Sequence, residues 1–392
     1  MKHYIYTVLL MTFLSIRGLY AQTWTEVYPG FVGENYIAVE MPSATTAYIS
    51  GYNGKMIKTT DGGDNWALIT TGTDINFECI GFTDEDNGFA AGSGDLILRT
   101  VDGGDNWTEE TVSGFKYGFS FPTSDIGYVC GAEGMAAKFE DNAWSTLTTG
   151  TSRVLYDVHF HDANTGLIFG GFFDTDCVIK KTIDGGDNWT NVSTPNENAI
   201  YGVHFPSADV GYAVGWDGNI MKTDNGGDTW TEQTSGSTEV LQKVFFTDEN
   251  NGYVTGTDGT LLKTTDGGEN WETVTLTYTD DLYGICFAGP DLGYAVGTNQ
   301  NILKYSISSS LSEHESLPTV SPIPCDSYIT IKLPSSIEQD GVINIYDLTG
   351  KLAASYPVSD TGSYSVGHLK SGIYFITIPV EDGITTSKFV KK

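Results

Sequence analysis

One heptapeptide, Thr60-Asp61-Gly62-Gly63-Asp64-Asn65-Trp66, returns along the chain at residues 101–107, 183–189 and 265–271. A variant, Asp224-Asn225-Gly226-Gly227-Asp228-Thr229-Trp230, keeps the glycines and the tryptophan, and Asp141-Asn142-Ala143-Trp144 keeps less. With Trp24, the tryptophans at 66, 107, 144, 189, 230 and 271 lie 37 to 45 residues apart. That period suits a unit of four short antiparallel strands and leaves no room for long helices. A second marker, Gly-aromatic-small-x-Gly, occurs at residues 88–92, 127–131, 211–215, 252–256 and 293–297, with looser copies at 47–51 and 166–170. Upstream of each lies an apolar strand closed by Met41, Phe82, Phe121, Phe160, Phe205, Phe246 or Phe287.

Both markers therefore count to seven, and the chain reads as all-β: a seven-bladed β-propeller over residues 22–306, followed by a small β-sandwich. The last repeat has no tryptophan strand, and Trp24-Thr25-Glu26-Val27 has no repeat before it. Placing this N-terminal strand in the final blade closes the ring and removes exposed sheet edges. The turn residues Asp61, Asp102, Asp184, Asn225 and Asp266 are read as structural. Their side chains can accept backbone N–H bonds while the paired glycines take positive φ. The tryptophan after each turn is expected to cover the blade edge with its indole N–H still available.

The ends of the chain read differently. Residues 1–21, with Lys2 and His3 before an apolar run and Ala21 before Gln22, have the form of a cleaved secretory signal. No later segment is apolar for long enough to span a membrane. The chain carries a formal charge of −30, which disfavours nucleic acid and anionic lipid as partners. Its five cysteines show no CxxC spacing, and an odd number leaves at least one thiol unpaired, with a Cys130–Cys177 bridge left open. Residues 307–318 are serine-rich and read as a linker.

The repeat unit resembles the Asp-box (BNR-like) propellers, and within them the photosystem II stability and assembly factor-like family. The resemblance implies the fold. It leaves function open, because sialidases, polysaccharide hydrolases and assembly factors all use this turn. Residues 319–392 carry Ile343-Asn344-Ile345-Tyr346-Asp347 before Gly350-Lys351, then Leu369-Lys370-Ser371-Gly372-Ile373-Tyr374, and a basic end. This block resembles the C-terminal sorting domain of the type IX secretion system. That resemblance implies a Bacteroidota source, the type IX machinery as a partner, and release or surface attachment after the signal and the sorting domain are removed.

Candidate chemistry is sparse. After the leader only Arg99 and Arg153 remain, so the arginine cluster of a sialidase cannot be assembled. A glycoside hydrolase needs two carboxylates about 5 or about 6.5–9.5 Å apart. Glu78 and Asp157 are the candidates, with Asp280 and Asp281 nearby in the repeat. His159, His161 and His204 read as packing between blades in preference to a metal site, and no metal or cofactor is expected.

Register gives a better surface. Four residues before each closing Phe or Met stand Ile37, Glu78, Tyr117, Tyr156, Tyr201, Gln242 and Tyr283. Phe172, Phe173 and Trp216 should flank the same mouth, with Lys116 and Arg153 adding scarce positive charge. The expected function is a secreted or surface-attached binding propeller whose ligand-binding residues are Tyr117, Tyr156, Tyr201, Trp216, Gln242, Tyr283, Phe172 and Phe173. The partner is an extracellular glycan or protein. The alternative is an extracellular glycoside hydrolase.

Overall fold

The five residues from the first to the last marker position of each second strand are buried in all seven repeats, and this fixes the architecture. A computed structural model describes residues 20–30, 35–277, 279–309, 319–321, 325–332, 341–347, 350–358, 363–380 and 383–392. Residues 1–19 of the expected signal, and the expected linker from residue 310 on, lie outside the described residues. The chain divides into two compact units, Gln22–Ile307 and a second containing Ser308–Lys392.

Unit Gln22–Ile307 holds seven four-stranded antiparallel sheets, numbered here as blades 1 to 7 in chain order. Their inner strands are Tyr36–Glu40, Phe77–Phe82, Lys116–Ser120, Leu155–Phe160, Ile200–His204, Leu241–Phe246 and Leu282–Gly289. Each inner strand packs on the next, and Leu282–Gly289 packs on Tyr36–Glu40, so the ring closes on itself as a β-propeller. Strand Tyr20–Val27 forms the outer edge of blade 7, beside Ile302–Ser309. Trp24 seats it, with ring centroids 5.7 Å from Tyr253, 5.9 Å from Phe287 and 5.3 Å from Tyr305.

The glycine marker follows from two close approaches. The closing aromatic of the inner strand lies across the first glycine of the second strand. A Cβ on Gly88 would stand 2.4 Å from the Phe82 ring. Blade 1 has Ala47 at this position, where the closing residue is the slimmer Met41. At the other end, a Cβ on Gly131 would stand 1.7 Å from the Phe115 carbonyl oxygen, just ahead of the inner strand.

Hydrogen-bonded turns lock five of the seven blades internally. Asp61 Oδ1 accepts from the Asn65 N–H (2.9 Å) and from Thr59 Oγ1 (2.8 Å), and Oδ2 accepts from Asn65 Nδ2 (2.7 Å). Thr59 Oγ1 in turn accepts from the Gly63 N–H at 2.9 Å. These bonds, that from the Asn65 side chain first, hold the Asp61 carboxyl down at about 2. Asp102, Asp184 and Asp266 repeat the pattern, and Asn225 does so with Thr229. Gly62 and Gly63 take φ of 69° and 87°, which a side chain would strain. Blade 3 replaces the device with a two-residue hairpin, Asp141 and Asn142 at φ 53° and 60°.

Blades are then tied together through these turns. Tyr48 donates to the Gly103 carbonyl at 2.8 Å, Tyr212 to Gly267 at 2.7 Å, and Tyr294 to Gly62 at 2.7 Å across the closure. The expectation of a free indole N–H is corrected here. Nε1 of Trp66, Trp107, Trp189, Trp230 and Trp271 is buried without a hydrogen-bond partner. The indoles instead meet neighbouring rings edge-on, as in Trp189–Phe160 at 90° and Trp271–Phe246 at 89°. That arrangement sets the positive ring edge against a π face. The Cys130–Cys177 bridge does not form either: all five cysteines are free, and the Cys130 thiol donates to the Leu155 carbonyl.

The second unit has a three-stranded sheet, Thr319–Ser321, Tyr328–Lys332 and Ser363–Ser365. Its four-stranded sheet runs Leu352–Pro357, Val342–Asp347, Gly372–Val380, Gly383–Lys391. Ile329 and Tyr364 of the first share one core with Ile343, Ile345, Ile376 and Phe389 of the second. Among the described residues no helix is long and apolar enough to cross a membrane.

Replacing Tyr294 by Phe removes the phenol that ties blade 7 to blade 1. The expected cost is about 1–2 kcal/mol of unfolding free energy in urea titration of the full chain. An unchanged midpoint would show that this bond contributes nothing to closure.

Candidate functional site

The carbonyl ahead of each inner strand does two things at once. It presses on the glycine that ends the second strand, and it accepts from the N–H of the residue after that glycine. The bonds are Tyr52 to Asn35, Ser93 to Asn76, Ala132 to Phe115, Gly171 to Val154, Trp216 to Ala199, Thr257 to Val240 and Thr298 to Asp281. The inner strand must then bulge to regain register. In every blade the pairing skips one residue after the first, and the skipped residues are Ile37, Glu78, Tyr117, Tyr156, Tyr201, Gln242 and Tyr283. A bulge re-aims its side chain. All seven are half-buried, whereas the residue before each is buried. The structure thus brings the register-derived residues to equivalent places around one end of the axis, opposite the Asp turns.

Aromatic rings join up on blades 3 to 5. Centroids of Tyr117 and Tyr156 are 5.4 Å apart, and those of Tyr156 and Tyr201 are 4.6 Å apart, with Phe115 stacked on Tyr117 at 6.1 Å. A second string on the loops runs Phe172–Phe173 (4.4 Å) and Phe173–Trp216 (4.9 Å). Phe172 and Phe173 are 51% and 44% exposed, a large apolar area to leave in water without use. The loop carrying them is pinned: the Phe172 N–H donates to the Asp176 carbonyl, the Ala199 N–H donates to the Phe173 carbonyl, and Arg153 pairs with the Asp176 carboxylate.

Below the mouth the inner strands approach so closely that the next column of residues is mostly small: Ala38, Cys79, Gly118, Gly202 and Gly284. The exceptions are Asp157 and Lys243, and they pair with each other at 2.7 Å. Asp157 Oδ1 also accepts from the Val158 N–H and Oδ2 from the Val203 N–H, each at 3.0 Å. A Cβ on Gly202 would stand 3.1 Å from Lys243 Cδ, so the glycine of blade 5 lets the pair span from blade 6 to blade 4.

Asp157 is therefore unsuited to the acid–base role held open for it. It is buried at 7% exposure and both oxygens are engaged. Glu78 stands apart: among the described residues its carboxylate makes no hydrogen bond or ion pair, and burial raises its pKa. Lys116 is also corrected. It takes the apolar first position of the blade 3 strand and is fully buried, and Nζ donates to the Gly94 (2.9 Å) and Val112 carbonyls. Burial lowers it to about 8. Burial keeps its ammonium out of a ligand's reach, and Arg153 is spent on Asp176.

The histidines pack. His159 stacks on Phe205 at 4.5 Å and His204 on Phe245 at 4.4 Å, and burial lowers their pKa values to about 3 and about 4. No group of three metal-ligating side chains occurs among the described residues.

Sequence reasoning missed Tyr52 and Lys243. Tyr52 follows Gly51 as Trp216 follows Gly215, so aligning the loops would have found it. Lys243 faces Asp157 in a column otherwise made of small residues, and their opposite charges were the signal.

A family model described as photosynthesis system II assembly factor YCF48 matches residues 16–118, 187–279 and 240–306, together more than half of the chain. One described as secretion system C-terminal sorting domain matches residues 319–392. Among solved structures, "YCF48 bound to D1 peptide" superposes with a TM-score of 0.62 at 17% identity, covering 73% of this chain and 95% of that one. YCF48 from Cyanidioschyzon merolae gives 0.60 at 17% identity, covering 72% and 98%. A catalytically inactive virginiamycin B lyase from Staphylococcus aureus with quinupristin gives 0.64 at 11%, covering 74% and 100%. At these identities the structures speak for the fold alone. No curated protein matches the chain.

Replacing Lys243 by Met strands Asp157 inside the ring and is expected to cost about 2–3 kcal/mol in denaturant titration. The double replacement with Asp157→Asn should cost less than the sum of the two singles. Additive losses would show that the two groups do not act as a pair.

Proposed function

Since the chain belongs to the photosynthesis system II assembly factor YCF48 family and ends in a type IX sorting domain, we propose that it is an exported, surface-attached propeller that binds a polypeptide segment. The segment lies across the bulged end of the ring, and the protein performs no chemistry on it. The sorting domain indicates secretion and cell-surface attachment. On this reading residues 1–21 are a removed signal, 307–318 a linker, and the two C-terminal sheets the sandwich that the secretion machinery recognises. A Bacteroidota source goes with that machinery. The family's photosynthetic label names a shared fold and is not carried over as a task.

The observation that carries the reading is the aromatic string Tyr117–Tyr156–Tyr201 at the axis mouth, beside the exposed Phe172 and Phe173. Rigid tyrosines offer broad apolar faces with polar rims at low entropic cost, and aromatic residues dominate binding energetics. The binding of D1 peptide by YCF48, a propeller of this fold, supports a polypeptide over a sugar. A hydrolase is disfavoured, because Asp157 is committed to Lys243 and leaves Glu78 without its carboxylate partner.

The test is to probe the full chain on a peptide array and a glycan array in parallel, with reducing-sugar release measured on the same glycans. Peptide binding is expected, without sugar release. Replacing both Tyr156 and Tyr201 by Ala should weaken it about tenfold or more while changing stability by roughly 1 kcal/mol or less. Unchanged binding with a large stability loss would make these residues core and overturn the reading. Glycan binding alone would replace the polypeptide with a sugar.

A further inference from the structure

The side of the mouth that runs on from Tyr117 through blades 2, 1 and 7 has a different chemistry. Glu78 is a bulge residue, so the inner strand of blade 2 turns it toward the axis mouth. Beside it in the bulge ring stands Tyr117 of blade 3, and on the far side of Ile37 stands Tyr283 of blade 7. Tyr52 comes in from the blade 1 loop, held by its N–H bond to the Asn35 carbonyl. Burial holds all three tyrosines protonated; the Glu78 charge adds to it at Tyr52 and Tyr117, and at Tyr283 Asp281 adds more than Glu78 does.

Glu78 is a half-buried carboxylate whose charge reaches three phenols, and a carboxylate taken partly out of water without a cation or donor against it is costly. Among the described residues none pairs with Glu78. Of the cations at this end, Lys243 is committed to Asp157, Arg153 to Asp176 and Lys116 to two carbonyls, and Lys55, in the Tyr52 loop, makes no ion pair with Glu78. The loops on this side add further negative charge. Asp258 is exposed, and Asp281 accepts from Tyr283 Oη at 3.2 Å and from the Asp258 N–H at 3.0 Å. Asp280 accepts from Asn299 Nδ2 at 2.8 Å.

We propose that Glu78, Tyr52, Tyr117 and Tyr283 form a socket for the guanidinium or ammonium group of an Arg or Lys side chain on the bound polypeptide. Glu78 supplies the counter-charge and the phenol rings supply π faces. The acidic loops steer the basic segment toward the mouth. The proposal rests on the polypeptide reading above and names its chemistry. The segment lays apolar groups on Tyr156, Tyr201 and Phe173 and anchors a cation at Glu78.

The test uses the full chain and titration calorimetry with hexaarginine, and with hexacitrulline as the uncharged probe of the same shape, in 150 mM salt. Hexaarginine is expected to bind. Glu78→Gln should weaken it about tenfold, whereas Asp187→Asn, an exposed acid on the opposite end, should change it by less than about twofold. Hexacitrulline should not compete. Equal losses in the two variants would reduce the effect to diffuse charge and overturn the socket. So would equal binding of the two probes, or no hexaarginine binding. In each of those cases the peptide-array loss in the Tyr156/Tyr201 variant still reports separately on the face. Glu78→Gln also removes an unpaired buried charge, so its melting temperature should hold or rise. A fall would show that Glu78 is a structural residue.

Discussion

Five of the seven blades carry a hydrogen-bonded turn that receives a side chain from the blade before it, and the rest of the ring depends on that fastening. Asp61 and Thr59 hold the Gly62–Gly63 backbone so that the Gly62 carbonyl points outward for Tyr294. Tyr48 and Tyr212 use the turns of Gly103 and Gly267 in the same way. Where a hydroxyl is missing, packing replaces it, as Leu167 does against Gly227. A sheet alone could not bury its second strand, so blades gain their stability mutually, and Tyr20–Val27 covers the edge that Ile302–Ser309 would otherwise expose.

The same close packing creates the site. Pressing a carbonyl onto the glycine at the end of every second strand costs the inner strand its register, and the bulge that restores it lifts one side chain per blade to the mouth. Seven such side chains result, whatever their identity. Evolutionary choice then acts only on which residues occupy them: tyrosines on blades 3 to 5, an acid on blade 2, a tyrosine on blade 7. Deeper in, the column has room for one charged pair only because Gly202 makes way for Lys243. Rigid elements carry these residues, so a ligand pays little for ordering them.

Much of this was legible in the sequence because repetition exposes register. The positions four residues before each closing Phe or Met share one structural place, and the N-terminal Trp24 strand fits the blade that lacks its own. What could not be read was which side chains engage one another across blades. Lys116 looks like surface charge until the apolar column it occupies, Tyr36, Phe77, Leu155 and their equivalents, is seen from inside. Asp157 looks like a catalytic acid until Lys243, 86 residues away in sequence, is found against it. The indoles look available until the facing rings of the neighbouring strands are in place. Each of these depends on distance between blades, and a period fixes only position within a blade.

The central claim is that the bulged end, and not the Asp-turn end, meets the partner. Photo-crosslinking on intact cells that display the protein tests it most directly, with benzoylphenylalanine placed at Phe172 in one variant and at the exposed Ile183 of a turn in another. The account predicts a discrete crosslinked polypeptide from position 172 and none from position 183. A crosslink from 183 with none from 172 would put the working face at the other end of the ring and contradict the account.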